Sequence, residues 1–94
     1  MIFRAEVFVT LKPVVNDPEG STIKSGLHSI GFRSVREVRS GKYLVLTIEE
    51  ADEGVARARV DELAREILAN PVIEDYRVHL EPLPTAVTSG VGSA

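Results

Sequence analysis

The chain has no cysteine and no tryptophan, one methionine, and only three phenylalanines and two tyrosines in 94 residues. Without cysteine there is no disulfide, thiol nucleophile or thiolate metal site. With so few aromatics the core must be built from valine, isoleucine, leucine and alanine. Both histidines, His28 and His79, lie outside any His-x-x-x-His or Glu-x-x-His spacing, so a zinc or di-metal site is not expected. The serines fall in turns and polar helix faces without a Gly-x-Ser-x-Gly elbow. Gly20 is followed by "STIKSG" rather than the ending of a phosphate-binding loop,. No apolar window approaches the roughly 18 residues of a membrane span. Arg4 and Glu6 interrupt the N-terminal stretch, so no signal peptide is expected,. The cytoplasm is the expected compartment, with no membrane partner.

What is present is an ordinary globular balance: 44% hydrophobic residues, 27% charged, net charge −3,. The negative balance argues against nucleic acid as a partner. A basic run, Arg33, Arg36, Arg39 and Lys42, is the one feature favouring it, and the RNP1-type aromatic pattern is absent,. A single domain of this size gains stability by self-association.

Residues Ile2 to Leu11 alternate, with Phe3, Ala5, Val7, Val9 and Leu11 on one side, which predicts a strand with one well-buried face,. Phe8 breaks the polar side. Asp17, Pro18 and Glu19 form a helix start, and Ile23, Leu27 and Ile30 make an apolar stripe ended by Gly31,. Ser34–Arg39 and Tyr43–Glu50 read as a hairpin turning at Gly41. The second of these strands is apolar on both faces. Asp52 caps a helix running to about Ala69, Asn70 reads as a left-handed cap and Pro71 as a breaker. A last strand covers about Val72 to Leu80. From position 82 to 94 the pattern dissolves into Pro, Gly and Ser, expected to be a flexible tail after a single domain over 1–81.

The expected order is β-α-β-β-α-β, an α+β ferredoxin-like sandwich with an antiparallel sheet and two helices on one face. Its other face, bearing Tyr43, Val45 and Phe8, is left for a second copy or another protein.

Four stretches in this order, "VFVTLKPVVNDPEG", "GLHSIGF", "RSGKYLVL" and "LANPVIEDYRV", resemble the PurS family, the small subunit of phosphoribosylformylglycinamidine (FGAM) synthase. The resemblance covers roughly residues 3 to 81. It departs at Val14-Val15, where the family more often has a glycine first. It implies a non-catalytic subunit of an ATP-dependent, amidine-forming ligase in the fourth step of purine synthesis. Its implied partners are a glutaminase subunit and a large synthetase subunit. Self-association as a homodimer, or as a tetramer, is also implied. No cofactor is implied in this chain; ATP and Mg belong to the large partner. Three presented segments are the interface candidates: Lys12, Pro13, Asp17 and Gly20; Arg39, Gly41 and Lys42; and Asn70, Pro71, Glu74, Asp75, Tyr76 and Arg77. The competing reading is a small-ligand regulatory module of the same fold, using the loop Asn16 to Gly20.

Overall fold

A computed structural model describes residues 1–84. The elements are β1 (Ile2–Leu11), α1 (Pro18–Ser29), β2 (Gly41–Glu49), α2 (Glu53–Leu63) prolonged by a π-helical turn (Ala64–Leu68), and β3 (Glu74–Leu83). The sheet order is β2-β1-β3 and both pairings are antiparallel.

β1 is the central strand, and its alternation is as the sequence predicts. Phe3, Ala5, Val7 and Val9 are buried on the face that α2 covers with Ala56 and Val60, and the π turn with Ala64. Leu44, Leu46 and Ile48 of β2 and Tyr76, Val78 and Leu80 of β3 complete that layer. Burying a side chain such as Phe3, Val7, Val9 or Val60 stabilises the fold by about 1.5–3 kcal/mol. Small residues on α2 let the helix approach the sheet closely.

α1 starts as expected. Asp17 caps it, accepting from the Gly20 N–H at 2.9 Å, with Pro18 at its first position. It ends in a Schellman arrangement. The Phe32 N–H donates to the Leu27 carbonyl and the Gly31 N–H to the His28 carbonyl, with Gly31 at φ +106°,.

The α+β class stands, with three differences in detail. Residues 34–40 form no strand, so the order is β-α-β-α-β. Their backbone groups are spent elsewhere. The Val35 carbonyl accepts from His28 Nε2 at 2.7 Å, and the Ser40 N–H donates to Asp17 at 2.7 Å. Secondly, α2 alone lies along the sheet. α1 touches the body through its first turn and leaves Ile23 and Ile30 exposed. Three strands measure about 10 Å from outer strand to outer strand, the diameter of a single helix, so α2 is enough to cover them. Thirdly, Asn70 is not a left-handed cap: no non-glycine residue among those described has positive φ. The π turn closes on an Ala69 N–H to Ala64 carbonyl bond and Ala69 leaves it extended.

β3 continues past Glu81 to pair Leu83 with Ile2, so Pro82 and Leu83, expected in the tail, belong to the sheet. The rest of the expected tail, from residue 85 on, lies outside the described residues. Among the described residues no helix is long and apolar enough to cross a membrane.

Candidate subunit interface

The antiparallel topology brings the three candidate segments to one end of the sheet. β1 finishes there at Leu11, and β2 and β3 begin there at Gly41 and Glu74. The Lys12 N–H donates to the Ile73 carbonyl at 2.8 Å, tying the first segment to the third. Arg39 Nη2 donates to the Lys12 carbonyl at 3.0 Å and the Val15 carbonyl at 2.8 Å, tying it to the second. A cleft of about 420 Å³ between them is lined by residues that include Asp17, Gly41, Lys42 and Glu74.

Within this cluster the residues divide by what they touch. Asp17 is only 4% exposed. Besides Gly20 it accepts from the Ser40 N–H and hydroxyl, so its two oxygens latch the start of α1 to the start of β2. The Gly20 and Ser40 backbone bonds hold its carboxyl below the ordinary carboxylate value, with the Arg39 charge adding to them and burial opposing,. Gly20 is sealed beneath the loop, since a Cβ there would stand 2.1 Å from the Val38 carbonyl oxygen. Asp17 and Gly20 are therefore internal struts, buried within the chain where the sequence pointed to presented surface groups. Gly41 is open to solvent on one side, but a Cβ would stand 2.4 Å from the Val9 carbonyl oxygen.

The remaining candidates are accessible. Lys12 is half-buried and Pro13 exposed. Lys42 Nζ reaches the Leu68 carbonyl at 3.3 Å, closing the end of the π turn. Asn70 and Glu74 hold the turn around Pro71 reciprocally. The Asn70 N–H donates to Glu74 Oε1 at 2.7 Å and the Glu74 N–H to the Asn70 carbonyl at 2.7 Å. The Asn70 side chain also accepts from the Val72 N–H. Asp75 is exposed.

Tyr76 and Arg77 part ways, because neighbours in a strand point to opposite faces. Tyr76 lies on the helix side, where its hydroxyl donates to Asp61 Oδ1 at 2.6 Å; that bond raises its pKa above the ordinary phenol value. Arg77 lies on the open face, its guanidinium carbon 4.6 Å from the centre of the Phe8 ring.

That open face is ordered by its own contacts. Tyr43, Phe8 and Arg77 occupy one register row across all three strands. The Tyr43 and Phe8 rings stand 5.2 Å apart. The Tyr43 hydroxyl donates to Glu6, which raises the phenol pKa, and Arg4 lies between Glu6 and Glu81. Tyr43 and Val45 are about half exposed. The double-sided apolar pattern of β2 signals this face. Ile23 of the α1 stripe, with Ile30 and Phe32 just after the helix, is exposed as well, although a helical apolar stripe ordinarily points at a core.

Nothing here resembles a reaction centre, and no group of three His, Cys, Asp or Glu side chains among the described residues could hold a metal. The arrangement presents shaped, partly apolar surfaces on rigid elements, which suits recognition of protein.

Comparison with known proteins agrees. The family model for PurS, phosphoribosylformylglycinamidine (FGAM) synthase, matches residues 4–82. The phosphoribosylformylglycinamidine synthase subunit PurS of Synechocystis sp. is 42% identical over 86 residues, covering 92% of this chain and 86% of that one. The Bacillus subtilis subunit is 44% identical over 80 residues, covering 85% and 94%. The solved structure of B. subtilis PurS superposes with a TM-score of 0.77, covering 85% of this chain and 99% of that one. The structure of PurLQS from Thermotoga maritima matches with a TM-score of 0.80 at 31% identity, covering 86% and 99%.

Proposed function

Because this chain belongs to the PurS family of FGAM synthase subunits, we propose that it is the small, non-catalytic subunit of that purine-biosynthetic ligase, joining a glutaminase subunit to an ATP-dependent synthetase subunit. The observation that carries this reading is the likeness, over most of the chain, to PurLQS of T. maritima, a structure that contains more than PurS. The chemistry, with ATP, Mg and glutamine as nitrogen donor, then resides in the larger subunits. This chain contributes geometry. It holds two active centres in a fixed relation so that ammonia released in one is used in the other.

The protein's own structure supports that division of labour. The three-segment end of the sheet is braced by Arg39, Asp17 and the Asn70–Glu74 turn, so Lys12, Pro13, Lys42, Asn70, Pro71, Glu74 and Asp75 can be presented without further ordering. Pre-organised contact groups lose less entropy on association. The open sheet face, with Phe8, Tyr43, Val45 and Arg77, is the surface on which two copies pair as a homodimer. Arg4, Glu6 and Glu81 on it are already matched within one copy, so those three charges do not oppose a twofold contact there. The enzyme's compartment, the cytoplasm, is then this chain's as well. A ligand-binding loop at Asn16 to Gly20 is disfavoured, since Asp17 and Gly20 are committed internally.

Reconstitution tests the assignment. The two larger subunits are assayed for amidine formation with glutamine and, separately, with ammonia, with and without this chain. The expected result is glutamine-dependent turnover only in the ternary mixture, with ammonia-dependent turnover in the synthetase alone. Equal glutamine-dependent turnover without this chain rejects the assignment.

A further inference from the structure

Among the described residues both outer strands of the sheet, β2 and β3, pair with β1 on one side only. β3 is the one that α2 borders. The Lys12 N–H to Ile73 carbonyl bond continues the β1–β3 register and sets which residues of β3 turn toward β1. Main-chain groups of an antiparallel strand alternate sides. Asp75, Arg77, His79 and Glu81 therefore turn theirs to β1, while Glu74, Tyr76, Val78, Leu80 and Pro82 turn theirs outward. Both ends of that outward row are closed. The Glu74 N–H donates to the Asn70 carbonyl, and Pro82 has no N–H. Tyr76, Val78 and Leu80 between them offer donors and acceptors to a further strand. Beside this stretch α2 and β3 border a cleft of about 560 Å³, lined by Gly54, Arg57, Ala58, Asp61, Tyr76 and Val78. The charges on its wall are committed, Arg57 to Glu53 and Asp61 to Arg65 and Tyr76.

We infer that the outer edge of β3 is a docking site for an extended segment of a non-identical protein subunit, which adds a strand to the sheet and lays uncharged side chains into the cleft against α2. The edge itself selects the occupant. Its outward groups recur at every second residue, about 7 Å apart, a spacing that another extended main chain matches. Alternate side chains of the added strand point to the helix side, where the committed charges favour neutral groups. A second copy of this chain meets an obstacle in each central twofold register. Centring the pair of β3 edges on Arg77 sets two Arg77 side chains directly opposite, and centring it on Val78 sets Asp75 opposite Glu81 of the other copy, like charges in both cases. Centring on Tyr76 calls on the committed Glu74 N–H, and centring on His79 or Leu80 calls on Pro82, which cannot donate. A foreign strand is bound by none of these registers. The inference rests on the family-level reading above and adds to it which edge is used and the form of the contact.

The test reads amide hydrogen exchange residue by residue in the full chain, alone and mixed with the purified glutaminase and synthetase subunits, the exchange being quenched and the chain recovered for NMR. In the free chain the amides of Tyr76 and Val78 are expected to exchange faster than those of Arg77 and His79. On binding of a larger subunit the fast pair is expected to slow by about tenfold or more, while Arg77 and His79 change little. Ala58→Arg puts bulk into the cleft from an exposed helix position. It is expected to weaken that binding by about tenfold or more and to remove the added protection. Ala58→Ser, which leaves the cleft open, is expected to bind as the wild type does, and a thermal melt verifies that both variants keep the fold. Slow exchange at Tyr76 and Val78 already in the free chain overturns the inference, since the edge is then covered by a second copy or by the chain itself. Binding of a larger subunit without added protection there, or undiminished binding by Ala58→Arg, overturns it and leaves the family reading standing. Failure of the wild type to bind either larger subunit overturns both.

Discussion

Gly20, in the first turn of α1, lies so close under Val38 that an added methyl carbon would stand 2.1 Å from the Val38 carbonyl oxygen. A helix and a loop eighteen positions along the chain touch at this point with no room for a side chain. The glycine holds φ in the ordinary helical range, so the requirement is close approach and not backbone freedom.

Gly20→Ala is therefore expected to destabilise the protein by about 1–3 kcal/mol or more, because the obstructing atom is backbone. Gly26→Ala, six residues on, meets nothing within 4 Å and is expected to stabilise it by up to about 1 kcal/mol. Urea unfolding at fixed protein concentration measures both. Equal midpoints for the two variants would contradict this account.

Asp17 is expected to give the fold a share of its acid sensitivity. Its folded-state pKa lies below the unfolded value near 3.8, through bonds from the Gly20 and Ser40 N–H groups. A depressed carboxylate contributes stability that is present above the unfolded value and lost as pH falls through the folded one. Asp17→Asn should melt at a lower temperature at pH 7, with the gap to wild type closing below about pH 4. Thermal melts across pH 2 to 7 read this directly, and a gap constant over the whole range would refute it.

Val45 stands on the open sheet face beside Tyr43, half exposed in the single copy. If two copies pair there, Val45→Glu places an uncompensated carboxylate in each half of the contact, at a cost of about 3 kcal/mol or more. Analytical ultracentrifugation should show association weakened by no less than about 100-fold, in favour of the monomer. A variant that remains as associated as wild type would remove this face from the dimer.

Tyr76→Phe removes the hydroxyl that donates to Asp61 at 2.6 Å and joins β3 to α2. A loss of about 0.5–1.5 kcal/mol is expected at neutral pH. Since the bond keeps the phenol protonated above its ordinary pKa, its contribution is present below pH 10 and lost as pH rises through the folded value. Chemical denaturation at pH 7 and at increasingly alkaline pH would expose the difference, and no change at pH 7 would show the bond to be neutral.

Much of the architecture is written in local pattern. The alternation of β1 names Phe3, Ala5, Val7 and Val9 as core. Asp17 and Asp52 mark the two helix starts, the latter accepting from the Val55 N–H, and Gly31 marks the α1 stop. The absence of a nucleophile, metal set or phosphate loop is equally a property of the sequence, as is the resemblance that identifies the family. These features depend on residues two to four apart, whose relation the helix and strand periods settle without help from the rest of the chain.

Tertiary structure decided where distant groups compete for the same partner. "SVREVR" has the composition of a strand, yet His28 claims the Val35 carbonyl within it and the Asp17 latch claims Ser40 at its end, so β2 pairs with β1 alone. Asp17 and Gly20, polar and small in a turn-like stretch, became interior because Val38 and Ser40 close over them. The stripe of α1, helical in period and apolar in content, faces outward because one helix already spans a three-stranded sheet. The row Tyr43–Phe8–Arg77 exists only once both pairing registers are set. In each case the outcome is a choice among contacts far apart in sequence, and local periodicity places a residue on a face without saying what that face will meet.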